Sequence, residues 1–410
     1  MRLLLAMAWR NLGRNRRRTA INLCAIAFAT MTMIFMTGMQ AGSYDQMIDS
    51  SVRMQTGHLQ VQAAGYLENE DINLTVDAPE RVYAALDAQP GVVGAVARIT
   101  TGMLVAKGDS SFVAVVIGTD AARERQVSTW PRLVRQGEFI TDADRDGVLI
   151  GEKLATNLAA GLGDELVLLG QAIDGSIAAA KVRVRGVIRT GLPELDRMAV
   201  IMNLAPLQSM MAMEGRVSVV AVLLDSHRRV EPLKAALAPR IAALSPDLRV
   251  LDWKQVAPGL DQGIQLDSVS GKVMVFLLLL VVAFGILNTF LMSAFERFRE
   301  FGVMMAIGVK PRACGLLLLL ESQLLTAAGF LIGLLIGGAL TLYFARAGIP
   351  IKGAEEYMAQ YGLSSSMYPV LTAGIVGFVL LQVWLVTTAV AGYPAWKITR
   401  FRPLEALRHL

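Results

Sequence analysis

Cysteine is nearly missing. Only Cys24 and Cys314 occur in 410 residues, and both fall within or at the start of long apolar stretches. The polar region between those stretches has none, so no disulfide can staple it, and its stability must come from a buried core. Histidine is almost as scarce. His58, His227 and His409 are scattered, and no H-E-x-x-H, C-x-x-C or G-x-S-x-G spacing is present, which leaves enzyme-type chemistry without a visible home. The phosphate-cradling G-x-x-x-x-G-K-[ST] is absent as well. Ser270-Gly271-Lys272-Val273 keeps the Gly-Lys but lacks the leading glycine and the hydroxyl, so this chain does not hydrolyse ATP alone. Charge is thin: Asp, Glu, Lys and Arg make up 18% of the residues, against roughly 25% in soluble domains.

What replaces charge is long apolar runs. Residues 20–41, 273–295, 314–344 and 370–391 each hold enough apolar side chains to cross a bilayer, since about 20 residues span a hydrocarbon core of about 30 Å. The third run exceeds that need and is expected to tilt or extend. The first is too long for a cleaved signal peptide, and no small-x-small cleavage site follows it, so it reads as a retained span. Basic residues set the expected orientation. Arg2, Arg10, Arg14, Arg16, Arg17 and Arg18 precede the first run with no acidic residue among them. Arg297, Arg299, Lys310 and Arg312 lie between the second and third, and Lys397, Arg400, Arg402 and Arg408 follow the fourth, whereas the loop 347–369 offers only Lys352. The positive-inside rule puts both termini and the Glu296 loop in the cytoplasm and residues 42–268 outside. That outer region carries about 22 basic and 28 acidic side chains. The overall charge of +5 is therefore a property of the cytoplasmic fringe and no sign of nucleic-acid binding.

The outer region alternates helix and strand signals. Residues 42–60 continue the first span as a helix into a strand over 58–62. Residues 78–88 form an amphipathic helix stopped by Pro90-Gly91. Strands are expected over 92–99, 102–106, 112–117, 181–188, 217–224 and 249–251, a strand–helix–turn–strand unit over 147–169, and a helix over 227–244. Residues 261–270 lead as continuous helix into the second span. The fold class is an α-helical membrane domain of four transmembrane helices plus a large mixed α+β extracytoplasmic domain inserted between helices 1 and 2.

Four local patterns invite a functional reading. Asp142-x-Asp144-x-Asp146-Gly147 matches the first half of a calcium loop, but Lys153 stands where the closing bidentate Glu should be, which favours a solvated acidic turn. Gly329, Gly333 and Gly337 lie on one helix face and admit a close helix neighbour, either within this chain or from another subunit. Glu321 is a carboxylate inside the third span; the favoured reading is structural, a pairing with a nearby arginine (Arg312 a candidate) or a backbone group, against a proton or substrate contact. If residues 2–18 are helical, Leu5, Ala8, Trp9 and Leu12 share one face and Arg10, Arg14 and Arg17 the other, an amphipathic helix lying in the membrane interface.

These residues converge on a family. Trp9-Arg10-Asn11-Leu12 with Arg16-Arg17-Arg18-Thr19, the insert after span one, the loop Glu296-Arg297 … Arg299-Glu300-Phe301-Gly302 … Ala306-Ile307-Gly308, and the tail Pro394-Ala395 … Arg402-Pro403-Leu404-Glu405-Ala406-Leu407-Arg408 together resemble permeases of the MacB/LolC/LolE/FtsX superfamily of ABC transporters. Gln55-Thr56-Gly57-His58-Leu59-Gln60-Val61 looks more like the lipoprotein-release (LolC/LolE-like) branch. MacB-type proteins often carry a fused ATPase ahead of span one, which this sequence does not show.

The resemblance implies a non-catalytic half of a permease dimer, homo- or heteromeric, in the bacterial inner membrane, served by separate ABC ATPase subunits that bind ATP and Mg; the chain itself needs no cofactor and no metal. It implies a cytoplasmic interface helix (1–19), spans at 20–41, 269–295, 313–346 and 370–392, a coupling helix (296–312), an outer loop (347–369) and a cytoplasmic tail (393–410). The outer domain (42–268) would comprise a porter-like part (42–105 and 217–268) interrupted by a second subdomain (106–216). ATPase coupling falls to Glu296, Arg297, Arg299, Glu300, Phe301, Gly302, Ala306 and Gly308, helix packing to Gly329, Gly333 and Gly337, and the membrane interface to Trp9, Arg10 and Arg14. The implied task is mechanotransmission for lipoprotein release, with a periplasmic carrier and the lipid bilayer as further partners. The alternatives are a MacB-like drug or peptide exporter with a periplasmic adaptor, and an FtsX-like signaller that activates a cell-wall hydrolase.

Overall fold

The computed structural model describes residues 2–14, 16–69, 71–350, 353 and 366–400. The tail motif at residues 402–408, Lys352 and most of the expected loop 347–369 lie outside the described residues. The chain divides into two compact units. One comprises the residues up to Tyr44, Gln265–Pro350 and the chain from Ser366; the other is built on Asp45–Ile264.

The first unit is helical. Four helices are long and apolar enough to cross a membrane: the first span Arg16–Ser51, the second Pro258–Glu296, the third Pro311–Ala347 and the fourth Ala373–Thr399. Two shorter helices, Arg2–Arg14 and Phe298–Ala306, complete the unit. Ile26, Met33 and Ile34 of the first span meet Leu279, Ile286 and Phe290 of the second, Leu325 and Phe330 of the third, and Val379 and Val383 of the fourth in one apolar core. Outward faces stay apolar too, with Val281 68% and Leu335 72% exposed. An apolar exterior is stable only against lipid or another apolar surface.

The glycine stripe serves packing inside this chain. A Cβ on Gly329 would stand 2.8 Å from Ile26, one on Gly333 2.5 Å from the Ala27 carbonyl oxygen, and one on Gly337 2.9 Å from the Met31 Cα. The first span occupies that face, so the alternative of a subunit interface there has no room.

The second unit is α+β. Its strands are β1 (Leu59–Ala63), β2 (Val76–Asp77), β3 (Val92–Lys107), β4 (Ser110–Thr119), β5 (Val134–Gly137), β6 (Gly147–Gly151), β7 (Glu165–Gln171), β8 (Ile177–Ile188), β9 (Ala199–Asn203), β10 (Arg216–Val217), β11 (Val219–Leu224) and β12 (Leu248–Asp252). The order β12-β1-β11-β3 is an antiparallel sheet. Its apolar face (Leu59, Val61, Ala95, Ala97) is covered by Val82 and Leu86 of the helix Pro79–Asp87 and by Leu237 and Ile241 of the helix Val230–Leu244. From β3 onward the strands close on themselves: β3-β4-β9-β6-β8-β7 returns to β3, with β4–β9 and β6–β8 parallel and the other pairs antiparallel. Met103, Val105, Ala114, Val116, Val148, Leu166, Leu168, Val184 and Val200 fill this barrel. The strand alternation throws Ile117, Leu149 and Ile201 to its outside, where Trp130, Phe139 and Ile140 cover them.

One expectation fails instructively. The strands expected at 92–99 and 102–106 are one strand, β3. Gly102 reads as a stop in sequence, but the strand only changes partners there: β11 pairs with residues 92–98 and β7 with residues 104–106. β3 thus belongs to both sheet and barrel, and it crosses the expected subdomain boundary at 105/106. The other expected elements fall within a few residues of their positions, whereas β5, β9 and the helices Ala121–Val127, Pro193–Met198 and Leu204–Met210 were not expected.

His58 precedes β1 and is 3% exposed. Its Nδ1 accepts the Leu224 N–H at 3.1 Å, so the ring is neutral, with its proton on Nε2. Burial pushes its pKa down to about 4, outweighing the attraction of the Asp49 carboxylate. The unfolded chain, titrating near 6.5, therefore takes up a proton that the folded one refuses. Stability is full above pH 7 and falls between pH 6.5 and 4, by about 3 kcal/mol at the lower end. Amide exchange along β1 and β11 should quicken over that interval, and His58→Gln should flatten the pH dependence. In the helical unit, Gly333→Val should separate the first and third spans and lower the melting temperature in detergent by several degrees, whereas Gly374→Ala, where an added Cβ meets only Thr372 Oγ1 at 3.8 Å, should not.

Candidate functional site

The second span ends at Arg297, where φ −97° and ψ 12° break the helix and start the nine-residue helix Phe298–Ala306. That helix stops at Gly308, whose φ of +99° suits only glycine. The Gly308 and Val309 N–H groups donate back to the Met305 and Met304 carbonyls at 3.1 and 2.9 Å, which satisfies the helix end.

The Arg297 side chain turns inward. Its Nη1 donates to both oxygens of Glu321 at 2.9 and 2.7 Å, its Nε donates to Glu300 Oε2 at 3.1 Å, and its guanidinium lies 5.2 Å from the Phe301 ring. Side-chain exposures of 9% for Arg297 and 7% for Glu321 make this a buried ion pair. Burial would push the Arg297 pKa down, but the Glu321 carboxylate, with Glu300 behind it, outweighs burial and raises it. Asn11 Nδ2 donates to Glu321 Oε1 at 2.6 Å. Arg312, a candidate partner for Glu321, does not pair with it; Arg297 reaches it because the chain reverses at 297 and packs the short helix against the third span.

Outer charges extend the network. Arg14 pairs with Glu300 and Arg18 with Glu296, the latter at 2.7 Å. Burial pushes the Glu300 carboxyl up, but Arg14 and Arg297 outweigh it and hold it below its ordinary value. These exposed pairs contribute little each, on the order of 0–1 kcal/mol. The anchor beneath them is apolar: Phe301, 2% exposed, packs with Ala8, Cys314, Leu317, Leu318, Ala395 and Ile398.

The N-terminal helix Arg2–Arg14 corrects the expected face assignment. Ala8 is buried, with Leu4 and Met7 packed against the same cluster, while Trp9 is 68% and Leu5 48% exposed. The helix has a protein face through Leu4, Met7, Ala8 and Asn11 and a separate apolar edge at Leu5 and Trp9. The single apolar stripe expected from sequence combined the two. Arg10 is exposed, and Arg14 is spent on Glu300.

The residues assigned to ATPase coupling thus split. Arg297, Phe301 and Gly302 are buried and position the helix; Glu300 is partly buried; Glu296 is exposed but tied to Arg18. Arg299, Ala306 and Gly308 are exposed, as are Val303 (52%) and Ile307 (77%), which the sequence reading did not single out. Residues 299, 303 and 306 follow helical spacing and form one outward face. That spacing was the signal available in sequence for Val303. The face leaves Arg299, Val303, Ala306 and Ile307 open to the surroundings. Elsewhere, Asp144 of the half calcium loop is engaged by the Thr141 N–H and hydroxyl at 2.7 and 2.8 Å and by Arg185 at 2.8 Å. Among the described residues no cluster of His, Cys, Asp or Glu could hold a metal ion.

Residues 19–240 match the family of MacB-like periplasmic core domains, and residues 272–403 the family of FtsX-like permease C-terminal domains. The chain is similar to the lipoprotein-releasing system transmembrane protein LolC of Xylella fastidiosa strain Temecula1, at 23% identity over 394 residues, covering 92% of this chain and 89% of that protein. It is similar to the macrolide export ATP-binding/permease protein MacB of Nitrobacter winogradskyi at 24% identity, covering 98% of this chain but 59% of that protein's length. The periplasmic region of MacB from Actinobacillus actinomycetemcomitans aligns with a TM-score of 0.38 at 13% identity, over 51% of this chain and 94% of that one, too distant to bear on function.

Removing one member of the buried pair leaves the other bare. Arg297→Met or Glu321→Leu alone should destabilise the helical unit by about 3–5 kcal/mol, whereas the double substitution should restore most of that loss. Thermal unfolding of the four proteins in detergent measures the coupling; additive single effects would show that the pair does not act as a unit.

Proposed function

Because the chain belongs to the family of permeases that join a MacB-like periplasmic core domain to an FtsX-like permease C-terminal domain, we propose that it is the membrane subunit of an ABC transporter that converts ATP hydrolysis by a separate ATPase into movement of its α+β domain, in the service of lipoprotein release. It is a multi-pass inner-membrane protein. In the proposed orientation both termini and the Phe298–Ala306 helix face the cytoplasm, and residues 42–268 face the periplasm.

The observation that carries this reading is the outward face of that short helix. Arg299, Val303, Ala306 and Ile307 are exposed while Arg297 and Phe301 fasten the helix from behind. A docking element must be rigid to transmit a push and must present apolar surface to hold a partner. The first span is a single helix from Arg16 to Ser51 and the second from Pro258 to Glu296. Helices of that length pass on rigid-body tilt rather than absorbing it. Charged side chains are sparse along the second to fourth spans, which gives no hydrated path for a polar solute and favours extraction over conduction. Matching of nearly the whole chain to a LolC of similar length supports lipoprotein cargo. A dimer of two permease chains, identical or paired with a sister subunit, would complete the transporter. Macrolide or pyoverdine export of the kind named for MacB and PvdT relatives is the second reading, supported by matches over 98% of this chain.

The test is reconstitution in lipid nanodiscs with the partner ATPase. Ile307→Glu and Val303→Glu should each reduce permease-stimulated ATP hydrolysis at least tenfold while leaving the melting temperature within about 2 °C. Unchanged stimulation in both would remove the docking assignment. Release of a triacylated lipoprotein on ATP addition supports the first reading. Retention of that lipoprotein, together with capture of a periplasmic adaptor or a cell-wall hydrolase, would replace it with export or signalling.

A further inference from the structure

The first span does not simply stop at Ser51. Val52–Thr56 is a π-helical turn, closed by the Gly57 N–H donating to the Val52 carbonyl at 2.8 Å. Such turns are rare and concentrate at functional positions, because widening the helix leaves backbone groups that must find partners elsewhere. Here they do. The Thr129 N–H donates to the Arg53 carbonyl at 3.3 Å, and an Nη1 of Arg98 donates to the Gln55 carbonyl. Gly57 follows at φ +68°, where a Cβ would lie 2.7 Å from the Val222 backbone nitrogen. His58 N–H then bonds the Val222 carbonyl at 2.8 Å, and the chain enters β1. The passage from helix to sheet is thus tied at Val52, Arg53, Gln55, Gly57 and His58.

Arg98 is the unexpected part. It sits on β3, is 4% exposed, and is held on all sides. Its Nε donates to Glu124 Oε2 at 3.1 Å and its Nη2 to Glu124 Oε1, and its guanidinium lies 4.6 Å from the Trp130 ring. Glu124, on the helix Ala121–Val127, is fully buried and also accepts the Thr119 hydroxyl of β4. A buried pair of this kind is a poor choice for stability alone, since apolar side chains of the same volume do as well. What a guanidinium adds is a planar fork that fixes three elements at set angles.

We propose that Arg98, oriented by Glu124, is a positioning residue that locks the π-turn to β3, so that movement of the Arg16–Ser51 helix is passed to the one strand shared by the open sheet and the barrel. This rests on the permease reading above and deepens it: it names the joint through which the nucleotide-driven motion enters the α+β domain.

The experiment uses the full chain with its partner ATPase in nanodiscs and follows hydrogen exchange with ATP against ADP. In the wild type, ATP should change exchange at residues 298–306, at residues 52–58 and along β3. Arg98→Met with Glu124→Met removes both charges and leaves no bare ion. It should hydrolyse ATP within twofold of wild type and keep the response at 298–306, but lose at least nine-tenths of the ATP-dependent change along β3. Arg98→Lys, which keeps the charge for Glu124 but not the fork to Gln55, should lose the same response and decides the matter should the double variant fold poorly. Leu166→Ala, a cavity in the barrel interior, controls for lost stability and should keep it. The inference is overturned by a normal β3 response in the Arg98 variants, by an equal loss in Leu166→Ala, or by a wild type that responds at 298–306 but not along β3. A wild type with no ATP response at 298–306 and no stimulated hydrolysis overturns the permease reading itself, and this inference with it.

Discussion

A guanidinium cannot lie bare in an apolar interior. The cost of stripping its water is several kcal/mol unless a carboxylate and further acceptors replace that water, so wherever an arginine is buried the surrounding elements are held to the geometry it demands. Among the described residues, the buried arginines are Arg297 in the helical unit and Arg98 in the α+β unit. Arg297 holds the short helix Phe298–Ala306 to Glu321 of the third span, and Asn11 of the N-terminal helix shares the same carboxylate. Arg98 holds β3 to Glu124 and to the carbonyl of Gln55. The apolar cores make the units stable. The buried charges hold the short helix and β3 to their neighbours.

That division of labour explains the character of the short helix. A nine-residue helix is too short to persist by itself, and its order depends on Phe301 seated among Leu317, Leu318 and Ala395 and on Arg297 behind it. With its inner side so occupied, the outer side can carry Val303 and Ile307 in the open without collapse onto the chain. An exposed apolar face backed by a buried ion pair is the feature on which the proposed docking rests.

In the α+β unit, continuity does comparable work. β3 is long enough to pair with β11 at one end and β7 at the other, so a sheet and a barrel share one backbone. The π-turn after Ser51 leads into β1 with the Val52, Arg53 and Gln55 carbonyls all accepting hydrogen bonds.

Much of this was legible from residues alone. Four spans follow from apolar length, because a bilayer accepts nothing shorter. The α+β character of residues 42–268 follows from alternation and turn residues, and the family from the loop after Glu296 together with the tail after Pro394, where particular residue types recur at particular spacings. Other features depended on side chains far apart in sequence. Arg297 and Glu321 are 24 positions apart, Arg98 and Gln55 43, and Asn11 and Glu321 310. Nothing local marks Arg297 as buried and Arg299 as exposed; each is an arginine near the start of a short helix. Gly102 looks like a strand end until two different partner strands are seen on either side of it. Sequence determined which segments are helix, strand and span, because propensity and periodicity act over a few residues. Only the tertiary structure decided which charges face inward and which face stays exposed, because that choice belongs to contacts between elements far apart in the chain.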